Sequence, residues 1–361
     1  MAFLYEQVKE EIKAQILEGK LSNGMKVPGE KELMDAFQVS RQTVRNAIAA
    51  LTNEGVLYSV QGKGTFVRDM SVLLKRQYII GFSTIDFKTY NLYPKILREV
   101  NRFTEECGYN LMLGQTKNTL ESERACLLNF LEKNVDAAIL DPSHCGLPNS
   151  NEDIYQMFEE RNKPLIMYSA RHFNETASYV VADDVMGGYL ATKHLLELGH
   201  RRIGGIFQAD DVRGYDRCQG MIQAMHEYNV PVQTDYLDWY SSMRIGMLDE
   251  MRLQKSDFAL KRILSDCTAV VVYNDIITQY VLYVLSELNM RCPDDISIVS
   301  FDDTVLNSGQ IDLTTVPYPD IKIGECLGET VLRLLHDPTQ KIQVKVPVEL
   351  IARGSTRRID S

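Results

Sequence analysis

Val27-Pro28-Gly29-Glu30-Lys31-Glu32-Leu33, then Val39-Ser40-Arg41-Gln42-Thr43-Val44-Arg45, then Gln61-Gly62-Lys63-Gly64-Thr65-Phe66-Val67 decide the reading of this chain. They spell a short helix, a turn, a second helix with two outward arginines, and a glycine-tipped hairpin, which are the parts of a winged helix-turn-helix. Ser40 suits a helix N-cap, and behind it Val44, Ala47, Ile48 and Leu51 recur at i, i+3, i+4 and i+7 as one buried stripe. That stripe turns Arg41, Gln42, Arg45 and Asn46 outward, where a helix entering a major groove end-on meets base edges. Upstream, Leu4, Val8, Ile12 and Ile16 predict an amphipathic helix ending at Gly19, and 29–37 predicts the next. Downstream, Val56 to Val60, the turn 61–64 and Thr65 to Arg68 predict the hairpin. Gly62-Lys63-Gly64-Thr65 is not a nucleotide P-loop, because the glycine five residues before the Gly-Lys pair is missing and a strand-like run follows.

The chain of 361 residues is too long for this module alone and fits two or three domains. Its net charge of -10 has the wrong sign for a polyanion binder until it is partitioned. Residues 1–69 carry nine basic and nine acidic side chains, so the acid excess lies beyond them. Between Ser40 and Arg68 the charges are Arg41, Arg45, Lys63 and Arg68 against Glu54 alone, one positive face on an acidic molecule. No run of 18 apolar residues occurs and the first residues carry no signal-peptide pattern, so a cytoplasmic protein without membrane partners is expected. The seven cysteines are dispersed with no C-x-x-C pair, which points to reduced thiols and neither a disulfide framework nor a zinc site.

Residues 70–77 read as a linker. After it, apolar strand-like runs such as Tyr78 to Ser83, Ala137 to Leu140 and Leu165 to Tyr168 alternate with helical periods. A second series follows, with Arg202 to Phe207, Ala269 to Tyr273 and Ser297 to Phe301 as strands. The fold class expected is α/β, a small winged helix-turn-helix plus a two-lobed domain of two doubly wound parallel sheets, with a ligand cleft between them. Chain crossings between the lobes are expected near Tyr168 to Val181, Val316 to Asp320 and Pro338 to Val346.

Residues 1–69 resemble the GntR-type winged helix, whose Pro-Ser-Glu, Ser-Arg-x-Thr-Val-Arg and Gly-x-Gly-Thr-x-Val patterns match at 28–30, 40–45 and 62–67. Gly29 departs from the family's serine and removes a side-chain cap. Residues 78–361 resemble the effector-binding and dimerisation domain of LacI/GalR-type repressors, related to periplasmic sugar-binding proteins. The matching stretches include Asp183-Asp184, Leu198-Gly199-His200-Arg201-Arg202-Ile203, Tyr273-Asn274-Asp275, Cys292 to Asp303 and Leu313-Thr314-Thr315-Val316. The union of the two is similar to arabinose repressors of the AraR type. The resemblance implies a homodimeric repressor that binds double-stranded operator DNA and is released by a small sugar, L-arabinose first, with no cofactor.

Candidate DNA contacts are Lys31, Ser40, Arg41, Gln42, Thr43, Arg45, Gln61, Gly62, Lys63, Gly64 and Thr65. Hydroxyls of Ser40 and Thr43 suit phosphates, Gln42 and Arg45 suit bases, and Lys63 suits phosphate or minor groove. For the cleft, a carboxylate can accept from two vicinal sugar hydroxyls while an arginine or amide donates to the same oxygens. Asn274, Asp275 and Asp302 follow strand-like runs and Arg217 is placed at the opening of a helix after one, where an open α/β sheet binds ligands. Helix N-capping is the competing role for Asp275 and Asp302, and the family resemblance favours all four as effector contacts. Thr84, Asp86, Asp141 and Arg213 occupy analogous loop positions with less to support them. Tyr90, Tyr93 and Trp239 suit packing better than sugar stacking, and the six histidines show no ligand spacing. No catalytic constellation is present. The rival reading is a doubly wound sugar-metabolising enzyme with a helical N-terminal module, which should carry an acid/base pair or a G-x-G-x-x-G loop; no such loop is found.

Overall fold

Val8, Ile12 and Ile16 bury one face of α1 (Ala2–Leu17) against Val44, Ala47 and Leu51, while Leu4 stays exposed. The computed structural model describes residues 2–60, 62–68, 78–86, 92–172, 177–242, 258–303 and 311–359. It divides into two compact units, 1–77 and 78–361. In the first, α2 (Glu30–Phe37) and α3 (Arg41–Asn53) follow α1, and β1 (Leu57–Val60) pairs antiparallel with β2 (Gly64–Val67). Ser40 caps α3 by accepting from the Thr43 N–H at 3.2 Å. The N–H of Gly29, with no side chain to cap α2, donates to the Glu32 carboxylate at 2.8 Å. The proposed linker, 70–77, lies outside the described residues.

In the second unit, β3 (Ile79–Thr84), β4 (Asn110–Gln115), β5 (Ala137–Leu140), β6 (Leu165–Tyr168) and β7 (Ser178–Ala182) form a parallel sheet in the order β7-β6-β5-β3-β4. A second parallel sheet, order β12-β11-β10-β8-β9, contains β8 (Ile203–Gln208), β9 (Leu237–Tyr240), β10 (Ala269–Val272), β11 (Ser297–Asp302) and β12 (Thr314–Pro317). The last strand, β13 (Gln343–Val346), returns to the first sheet and pairs with β7 in the register Gln343↔Tyr179 to Val346↔Ala182. Central strands such as β5 and β10 are buried along their whole length, as parallel strands covered on both faces require. The two doubly wound sheets are the α/β architecture expected.

The lobes exchange chain three times. The helix Asp184–Glu197 leaves β7 for the second lobe's core, and the helix Asp320–His336 leaves β12 for the first. After β13 the chain returns, and Ile351 bridges Thr315. The crossing at Pro317 to Asp320 falls where expected, whereas Tyr168 to Val181 and Pro338 to Val346 lie inside the first lobe. The reason is that β7 and β13 both complete that lobe's sheet, so each crossing comes after the strand and not before it.

Candidate nucleic-acid interface and ligand cleft

Helix α3 presents Arg41, Gln42, Arg45 and Asn46 to solvent, since Val44, Ala47 and Leu51 occupy its buried side. Both arginines converge on one acid: Glu30 accepts from Arg41 Nε at 2.6 Å and from Arg45 Nε at 2.8 Å. Hydrogen bonds from Arg45 and Arg41 hold the Glu30 carboxyl below its ordinary range. The pairs are exposed, so they orient the guanidinium forks more than they stabilise the fold. Gln42 donates to Asn46 at 2.9 Å, and the Thr43 hydroxyl lies 2.8 Å from that of Ser40. In the wing, Gly62 (φ 76°) and Gly64 (φ 116°) are left-handed, a geometry that favours glycine, and Lys63 is exposed between them. Lys26 was not singled out in the sequence. It pairs with Phe66 across the wing, and a Cβ on Gly64 would lie 2.6 Å from its Cε. Lys31 and Thr65 also belong to this unit, with Lys31 exposed; Gln61 lies outside the described residues.

In the second unit the C-terminal ends of both sheets converge on a cleft. Its wall includes Asp141 after β5, Asp210, Asp211 and Arg213 after β8, Asn274 after β10, and Asp302 at the end of β11. Asp141 accepts from the Tyr93 hydroxyl at 2.8 Å. Burial pushes its carboxyl up to about 7, against the opposing charge of Arg213 and the Tyr93 hydrogen bond. Arg213 grips Asp211 through Nε and Nη2 at 2.7–3.2 Å, and the Tyr273 hydroxyl donates to the same carboxylate at 2.7 Å. Burial alone would raise Asp211, but the Arg213 charge and these hydrogen bonds hold it well below the usual carboxylate range. Asn274 lines the cleft while its Oδ1 caps the helix Asp275–Glu287, accepting from the Ile277 N–H at 3.0 Å. Asp302 has a left-handed backbone (φ 79°), a cost that a non-glycine residue sustains where the surroundings dictate it. With Arg213 already neutralised by Asp211, carboxylates predominate, a wall suited to uncharged hydroxyl groups and poorly suited to phosphates.

Four predicted cleft residues lie elsewhere. Arg217 does not open its helix, which begins at Val212; it sits one turn further along and faces the sheet. Its Nε donates to Asp184 at 2.7 Å and its Nη2 to Asp302 at 3.0 Å, a third bond reaches the Tyr273 carbonyl, and the rings of Tyr273 and Phe301 flank it. It is buried beneath the cleft, where it orients Asp302. Asp275 is the buried first residue of its helix, outside the cleft wall. Thr84 is buried at the end of β3, and Asp86 accepts from the Gln115 amide at 3.0 Å. Conversely, Tyr93, His144, Asp210, Asp211 and Tyr273 line the cleft without having been picked as contacts. Asp210-Asp211 follow β8 as Asn274 follows β10, so the strand-end rule could have found them; Tyr93 and His144 have no such local signal. Trp239 packs against Tyr215 with ring centroids 4.8 Å apart and planes tilted by 31°, away from the cleft, and Tyr90 is outside the described residues.

Residues 4–67 match the bacterial regulatory proteins of the gntR family, and 192–356 match a periplasmic binding protein-like domain. The arabinose metabolism transcriptional repressor of Geobacillus stearothermophilus is 35% identical over 361 residues, covering 98% of each chain. The chain belongs to the arabinose metabolism transcriptional repressor family. A second repressor of that name, from Halalkalibacterium halodurans, is 34% identical across 89% of this chain and 86% of its own. Among solved structures, the transcription regulator CcpA of Lactococcus lactis aligns with a TM-score of 0.65 at 21% identity, covering 78% of this chain and all of its own. A LacI family regulator from Enterococcus faecium, solved with bound ribose, gives 0.63 at 21% identity with the same coverage, and both establish the two-lobed fold. The repressor thus joins a winged helix to a two-lobed sensor. Its relatives are transcriptional regulators. Among its described residues no helix is long and apolar enough to cross a membrane.

Proposed function

We propose that this repressor binds operator DNA as a cytoplasmic homodimer at genes of sugar use and is released when L-arabinose, or a related pentose, occupies the cleft. The observation that carries the reading is a cleft walled by Asp141, Asp302 and Asn274 around an arginine already satisfied by Asp211, in a chain whose relatives are repressors of arabinose metabolism. Residues 1–69 are the reader, 70–77 the linker and 78–361 the sensor. In the reader, Arg41, Gln42 and Arg45 face bases. Lys31, Ser40, Thr43, Lys63 and the backbone of Gly62, Gly64 and Thr65, together with Gln61, face phosphates or the minor groove.

In the sensor, Asp141, Arg213, Asn274 and Asp302 contact the sugar, and Arg217 holds Asp302 in place. An electrophoretic mobility shift of the repressor's own promoter fragments, titrated with L-arabinose, D-xylose, D-ribose and their phosphates, tests both halves. Release by an uncharged pentose and not by its phosphate is the expected result. Failure to bind any such fragment at low salt overturns the reader, and binding that no pentose alters overturns the effector.

A further inference from the structure

One edge of the cleft is closed by contacts between the lobes themselves. From the first lobe come the loop after β5 (143–147) and the residues after β6 (169–171); from the second comes the segment after β8 (209–216). The Gly146 N–H donates to the Asp210 carbonyl at 3.2 Å. A Cβ on Gly146 would stand 2.7 Å from the Asp211 nitrogen and 2.8 Å from the Ala209 oxygen, both backbone atoms with no side-chain freedom to yield. Beside it the His144 ring lies 3.1 Å from the Asp210 carboxylate. Cys145, Ala170 and Val212 form a buried apolar cluster of their own across the boundary, and the Val212 N–H points at the Cys145 sulfur at 3.4 Å. Arg171 and Asp216 add an ion pair at 3.1 Å.

The loop from the first lobe is held stiffly for this encounter. Buried Glu123 accepts from the Ser143 N–H at 2.7 Å, from the Tyr155 hydroxyl at 2.8 Å and from the Asn151 amide at 3.0 Å. His144 carries a left-handed backbone (φ 45°), and Asn118 accepts from its N–H at 3.3 Å. A strained, braced loop that ends on a glycine pressed against the opposite lobe's backbone has the character of a mating surface.

We propose that these contacts form a clasp, with Gly146 its limiting residue, that positions the lobes for effector binding and sets how tightly the sugar is held. The proposal rests on the reading of the cleft as an effector site. Gly146 does not itself line the cleft, but Cys145 beside it and the Asp210–Asp211 backbone it abuts do, so the Arg171–Asp216 pair, which lies outside the wall, separates lobe closure from a displaced wall. If the closed arrangement is populated to a fraction f, the observed dissociation constant is the intrinsic one divided by f, and a side chain at position 146 lowers f.

The test uses the full chain and the variants Gly146→Val and Arg171→Gln. Alkylation of Cys145 by N-ethylmaleimide, followed by peptide mass mapping, reports opening without sugar; calorimetry with L-arabinose reports affinity; a gel shift reports operator binding. Gly146→Val is expected to speed Cys145 alkylation at least about fivefold, weaken L-arabinose about tenfold or more, and still bind operator without sugar. Arg171→Gln, which removes the ion pair and the guanidinium's contact over the Tyr179 ring but adds no bulk at the boundary, is expected to move alkylation and affinity in the same directions by about threefold. The clasp is overturned if alkylation and affinity in the folded variants stay within about twofold of the parent. Should Gly146→Val not fold, Arg171→Gln decides. Should the parent bind no pentose, the effector reading falls and the sugar-free alkylation rates alone judge the clasp: acceleration supports it, and unchanged rates reject it.

Discussion

Asp141 is kept in a place that costs the fold something. Its carboxyl ionises near pH 7 in the folded chain, well above the ordinary value that the unfolded chain shows. Below the ordinary value both states are protonated and nothing is lost. As pH rises, the unfolded chain ionises first, so stability drains away until the folded carboxyl ionises near 7. Asp141→Asn keeps an acceptor for the Tyr93 hydroxyl and removes the charge. It is therefore expected to raise stability at pH 8 by on the order of 2–4 kcal/mol, with little gain near pH 4, while lowering L-arabinose affinity. Thermal melts at the two pH values, paired with calorimetry, check this; equal melts at pH 8 would refute it. The two arginines after β8 divide differently. Arg213→Lys, which keeps a cation beside buried Asp211, should weaken sugar with a modest change in melting, whereas Arg217→Ala strands Asp184 and Asp302 and should destabilise by about 3–5 kcal/mol. Denaturant titration of the two variants distinguishes a binding residue from a buried brace. Sequence reasoning picked both arginines but ranked Arg217 above Arg213, because it placed the helix start at 217 and not at Val212. One helical turn separates the cleft wall from the layer beneath it.

At the scale of elements, α3 was legible from Ser40 and its apolar stripe, because capping and periodicity are local. The wing hairpin was legible from its glycines. Two neighbours were not: the segment around Lys26, which bonds to the wing through Val27 N–H and the Thr65 carbonyl, and Glu30, whose partners stand eleven and fifteen residues away. Neither spacing leaves a periodic trace. Arg45→Ala is expected to relax discrimination at one or two operator positions by about 1–3 kcal/mol. Lys63→Ala should weaken all sequences alike and reduce the magnitude of the salt slope by about one. Competition binding against a randomised operator library, repeated at two salt concentrations, separates the outcomes. Uniform loss in both variants would remove Arg45 from the bases.

For the whole molecule, the alternation of strand and helix announced two parallel sheets, yet it did not announce which strands share a lobe, since pairing across a sheet is set by distant parts of the chain. Linkage between cleft and operator must be reciprocal: a sugar that weakens DNA binding by some factor is weakened equally by DNA. Titrating L-arabinose with and without saturating operator should give affinities that differ by about 1–3 kcal/mol, and equal affinities would remove the coupling. The placement of β13 carries a consequence for how the protein is made. The first lobe takes its helix Asp320–His336 and its outer strand Gln343–Val346 from near the end of the chain, while its other strands lie between Ile79 and Ala182. On the ribosome, the winged helix has all its parts after the first 68 residues and can form early. The first lobe has to wait, with the edge of β7 unpaired, until Gln343–Val346 has been made. A nascent copy therefore owns a DNA-binding surface before it owns a completed sensor, and a message cut short before Gln343 yields a protein that can find DNA yet has no finished lobe with which to answer the sugar.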